Sequence, residues 1–80
     1  SKEQNDHFHR LELMRERLIE SDEEVTKFIE QYPQLDIQAL RSVVRAARKE
    51  QAQNAQLSEN QTPQRKQYRA LFQFLKDVIE

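Results

Sequence analysis

Eighty residues, 36% hydrophobic and 34% charged, with a formal net charge of −1, describe one small domain (1–80) with a single modest core. The absence of Cys removes disulfides, Cys-type zinc sites and thiol nucleophiles, and the absence of Gly removes phosphate-cradling loops of the Walker or Rossmann kind. Leu, Ile, Val and Phe supply 20 of the 80 residues, just enough for folding, and plentiful Glu, Gln, Leu, Arg and Ala without β-branched runs predicts an all-α chain. No apolar run approaches a membrane span or a signal peptide, so the expected location is the cytoplasm. The start Ser-Lys-Glu, without Met, leads us to expect a processed chain or a piece of a longer protein.

In chain order, Phe8, Leu11, Met14, Leu18 and Ile19 recur at helical spacing and predict a first amphipathic helix from about Asp6 to Glu20. Ser21-Asp22-Glu23-Glu24 spells a capping box for a short second helix presenting Val25, Phe28, Ile29 and Tyr32, which must stop before Pro33. Asp36 is the expected cap of a third helix reaching about Ala52, with Leu35 and Leu40 placed as a hydrophobic staple and Ile37, Leu40, Val43, Val44 and Ala47 on its buried face. The polar stretch 54–61 reads as a flexible linker. Thr62 and Pro63 then fit the cap and first residue of a last helix whose stripe is Tyr68, Leu71, Phe72, Leu75, Val78 and Ile79. The expected architecture is a small bundle of about four helices.

The near-zero total hides a division of charge. Up to Leu40 there are five basic and ten acidic residues, a balance of −5, and after it eight basic and four acidic, a balance of +4. Helical spacing gathers Arg41, Arg45 and Arg48 into a strip with Lys49 at its edge, and Arg65, Arg69 and Lys76 into another with Lys66 a little further round. Five of these eight cations are Arg, whose planar fork suits phosphate oxygens. Arg45, Arg48, Arg65 and Arg69 have no acidic residue three or four positions away, so intrahelical salt bridges do not explain the strips. Two readings compete: a merely solvated helix surface, and a polyanion site formed where both strips open on one side.

Catalytic chemistry is poorly represented, and no enzymatic activity, cofactor or small-molecule substrate is expected. His9, Glu12 and Glu16 share a helix face but make a weak metal constellation, and Ser21 reads as a cap and not a nucleophile. Leu13 and Phe74 fall off or at the edge of their stripes and are candidates for a protein interface.

Three stretches, HRLELMRERLI (9–19), QALRSVVRAARKEQ (38–51) and TPQRKQYRALFQFLKDV (62–78), together resemble the C-terminal half of the YjgA (DarP) family of ribosome-associated large-subunit assembly factors. The resemblance implies an all-helical, non-enzymatic protein that binds a late precursor of the large ribosomal subunit and contacts ribosomal RNA. Arg41, Arg45, Arg48, Lys49, Arg65, Lys66, Arg69 and Lys76 are then the expected RNA contacts. It also implies an N-terminal half, absent from these 80 residues, as a further partner. The alternative is a helical protein-interaction module that docks through Leu13 and Phe74 without binding RNA.

Overall fold

The computed structural model describes residues 1–80, which form four helices and no strand: α1 (Lys2–Glu20), α2 (Asp22–Gln31), α3 (Ile37–Asn54) and α4 (Lys66–Ile79). The all-α expectation is met, with the bounds moved for identifiable reasons. α1 starts near Lys2 and not Asp6, because the Ser1 hydroxyl accepts the Gln4 N–H at 3.3 Å while the Gln4 side chain answers at the Ser1 nitrogen, 3.1 Å away. At the α1–α2 junction Ser21 serves both helices: its N–H donates to the Arg17 carbonyl (3.0 Å) and its hydroxyl accepts from Glu24 N–H (3.4 Å). Only half of the expected capping box forms. The Ser21 N–H is already used by α1, and the Glu24 carboxylate turns instead to Lys27 at 3.6 Å.

α2 ends at Gln31, before Pro33, and Asp36 caps α3 by accepting the Ala39 N–H at 3.1 Å, both as the sequence implies. α4 does not begin at Pro63. It begins at Lys66, after Arg65, whose side chain makes no capping bond. Its first turn is served from α3, where the buried Glu50 carboxylate accepts the Gln67 N–H. Asn54 completes the junction: its amide donates to the Gln64 carbonyl at 2.7 Å and its side-chain oxygen accepts the Gln64 N–H at 3.0 Å. The chain between these residues is drawn into two short turns, Leu57 N–H to Asn54 carbonyl and Gln61 N–H to Ser58 carbonyl, each 3.1 Å.

One core of ten buried apolar residues joins the helices: Leu11, Leu18 and Ile19 from α1, Val25 and Phe28 from α2, Leu40, Val44 and Ala47 from α3, Leu71 and Leu75 from α4. α4 packs most closely on α3 and then on α1, while α2 rests against α1. The radius of gyration, 13.5 Å, exceeds the ~12 Å typical of 80 residues. The helices spread over 41 × 33 × 18 Å, a flattened shape that leaves long grooves between them. Two residues assigned to the packed faces lie outside: Ile37 is 42% exposed at the first helical position, ahead of a packed face that starts at Leu40, and Phe8 is 49% exposed, its ring tilted by 49° against that of Phe72 with centroids 5.0 Å apart.

Candidate nucleic-acid interface

The strip Arg41, Arg45, Arg48 divides on folding. Arg41 and Arg45 are exposed and make no ion pair, whereas Arg48 is turned inward against the end of α1. Its Nε donates to the Ile19 carbonyl at 2.9 Å, one terminal nitrogen to the Leu18 carbonyl at 2.8 Å, and the other to the Asp22 carboxylate at 2.7 Å. Carbonyls in the last turn of a helix have no intrahelical partner and carry its negative dipole end, so a guanidinium there meets both needs. Arg48 is therefore a tie between α3 and the α1–α2 junction, a structural duty that the charge pattern alone did not disclose.

The three arginines nevertheless line one groove, of about 300 Å³, between α2 and α3, with Asp22, Val25, Thr26 and Val44 as its other walls. Lys76 lies elsewhere, in a groove of about 430 Å³ between α1 and α4, beside Glu3, His7, Phe8 and Glu80. His7 and Glu80 close that groove at 3.0 Å. Arg65, Lys66, Arg69 and Lys49 are exposed without ion pairs. The Glu50–Gln67 bond brings their neighbours Lys49 and Lys66 to one end of the α3–α4 pair, and the Arg65 guanidinium sits 5.8 Å from the Tyr68 ring. The two strips thus do not merge along their whole length: the arginine groove, the α3–α4 end and Lys76 are three separate positions.

Two charged residues that the sequence reading left out are buried. Arg15, 7% exposed, lays its guanidinium 3.5 Å from the Tyr68 ring centroid and 5.3 Å from that of Phe72, joining α1 to α4 by cation–π contacts. Tyr68 donates its hydroxyl to Glu16, and burial, followed by that hydrogen bond, raises the phenol above its ordinary value of 10.0 while Arg15 pulls the other way. Glu50 is the second. Spacing was the available signal for both, since Arg15 falls between Leu11 and Leu18 and Glu50 follows Ala47, each on the apolar face of its helix.

The remaining candidates separate as well. Leu13 is 57% exposed, while Phe74 packs half-buried against the core. His9 bonds Glu12 at 3.1 Å, but Glu16 is held by Tyr68, so the three do not converge on one cation. No helix is long and apolar enough to cross a membrane.

Comparison with known proteins places the chain in a family. The model of the family described as dual-action ribosomal maturation protein DarP matches residues 1–76. Proteins of that name from Pasteurella multocida and Actinobacillus succinogenes are 48% and 49% identical over 71 and 72 residues, 89% of this chain in each case, and one from Erwinia tasmaniensis is 43% identical over 74 residues, 91% of this chain. The chain spans 35–37% of the length of these relatives. No solved structure matches it. With a match extending over nearly all of its residues, the chain belongs to the DarP family of ribosomal maturation proteins.

Proposed function

We propose that this chain is a non-enzymatic module of a ribosome maturation factor that holds ribosomal RNA of a late large-subunit precursor by its phosphate backbone. The contacts are Arg41, Arg45 and Lys49 on α3, Arg65 just ahead of α4, and Lys66, Arg69 and Lys76 on α4, with Arg48 contributing charge from its fixed position. The observation that carries the reading is that seven of the eight basic residues after Leu40 are exposed without an ion-pair partner, Arg48 with Asp22 being the one pair in that half. Unpaired cations on a rigid helical surface gain by displacing the counterions of a polyphosphate, and that gain is independent of base sequence. Specificity would come from the ribosome and from the remainder of the parent protein, including the N-terminal half implied by the family. Maturing ribosomes lie in the cytoplasm, where this activity belongs.

Cosedimentation with large-subunit precursors tests the proposal. Arg41→Glu with Arg45→Glu is the informative pair, because both side chains are free of structural duty, whereas Arg48→Glu would damage the fold. Loss of cosedimentation with the helical circular dichroism retained supports it. Full retention in that variant and in Arg65→Glu with Arg69→Glu rejects it. A second reading, a protein-docking module, rests on the 57% exposure of Leu13, and loss of binding on Leu13→Asp with no effect of the arginine variants would favour it.

A further inference from the structure

We infer that the groove between α2 and α3 is a phosphate clasp, in which consecutive phosphodiester groups of one RNA strand lie between Arg41, Arg45 and the immobilised guanidinium of Arg48. The inference deepens the RNA-backbone reading and rests on it. Among the five principal grooves this one has the largest excess of positive charge, three guanidiniums against the single carboxylate of Asp22. Arg41 and Arg45 are one helical turn apart, ~6 Å along the axis, a separation that lets neighbouring phosphates be met by neighbouring side chains. The groove encloses about 300 Å³ and is walled by Val25 and Val44 as well as the arginines.

Arg48 gives the groove a property that a solvated strip lacks. Its Nε and one terminal nitrogen are spent on the Ile19 and Leu18 carbonyls, so the side chain is already ordered and loses little freedom when a ligand arrives. The third nitrogen is held only by Asp22, an exposed side chain. A phosphate oxygen carries the same charge and accepts the same bond as that carboxylate. Asp22 therefore competes with RNA for Arg48 and repels the backbone from Arg41 and Arg45, while the two carbonyl bonds keep Arg48 in place when Asp22 is removed. Asp22 sets the occupancy of the clasp and is not a contact of it.

The test is a titration of the chain with a short RNA and, separately, with inorganic phosphate, followed by backbone amide NMR. RNA should shift the amides of Thr26, Arg41, Val44 and Arg45 ahead of those on α4. Asp22→Asn should tighten RNA binding several-fold, and Arg41→Gln with Arg45→Gln should weaken it roughly tenfold or more and lower the log–log salt slope by about two. If the unaltered chain binds RNA but Asp22→Asn binds no better and the Arg41/Arg45 variant binds as well, the clasp is overturned while the general RNA reading stands. If the unaltered chain fails to bind RNA at low salt, both fall. Saturation by inorganic phosphate at concentrations that RNA phosphates need would also overturn the clasp, since it would mark a site for the free anion.

Discussion

Two of the three helix junctions of this molecule are built by opposite means. Between α1 and α2 one residue, Ser21, ends one helix and starts the next with bonds to positions three and four residues away. Between α3 and α4 the local sequence offers Thr62 and Pro63, a respectable start signal, and the fold ignores it. Glu50 and Asn54, 17 and 10 residues before their partners, fix where α4 begins. An end capped by its neighbours is written in the chain; an end capped from another helix exists only after the helices meet. Arg48 belongs to the second kind, since its partners at Leu18 and Ile19 lie 30 and 29 residues away.

Substitutions at the local and the distant caps should differ in cost. Arg48→Met, which keeps the aliphatic stem but orphans two helix-end carbonyls, should cost on the order of 2–4 kcal/mol in urea unfolding, the largest effect expected. Glu50→Ala removes the carboxylate on the first turn of α4 and should cost about 2 kcal/mol, with fraying confined to residues 64–68 in amide exchange. Ser21→Ala should cost about 1 kcal/mol, equivalent to ~4–8 °C in Tm for a domain of this size. Thr62→Ala should be neutral within ~0.5 kcal/mol, because the hydroxyl caps nothing here. A loss from Thr62→Ala as large as that from Glu50→Ala would reverse the distinction between local and distant caps.

A pH dependence follows from the α1–α4 contact. The Tyr68 phenol is raised above 10.0 in the folded chain, chiefly by burial, so the folded state retains its proton where the unfolded state releases it. The associated stability is present below pH 10.0 and is lost as pH rises through the folded value, and Tyr68→Phe should flatten the decline in Tm over that alkaline window.

Helix number, the stop before Pro33, the Asp36 cap and nearly all of the core were legible, because each depends on residues within a turn or two of one another. The cationic site was legible only as a list of charges. Periodicity puts Arg41, Arg45 and Arg48 on one strip, but whether a guanidinium faces water or a carbonyl depends on which helix packs beside it. Arg15 and Glu50 escaped for a related reason: long side chains at core-facing positions bury their charge against a ring or an amide supplied by another helix, and sequence order does not say which.

The most direct test is the salt dependence of binding between this chain and large-subunit precursor RNA. Log affinity should fall linearly with log salt with a slope corresponding to roughly 4 to 6 phosphates, and Arg41→Gln with Arg45→Gln should remove about two of them. An affinity that does not change with salt, or a slope untouched by that double substitution and by its counterpart at Arg65 and Arg69, would contradict the RNA-backbone reading.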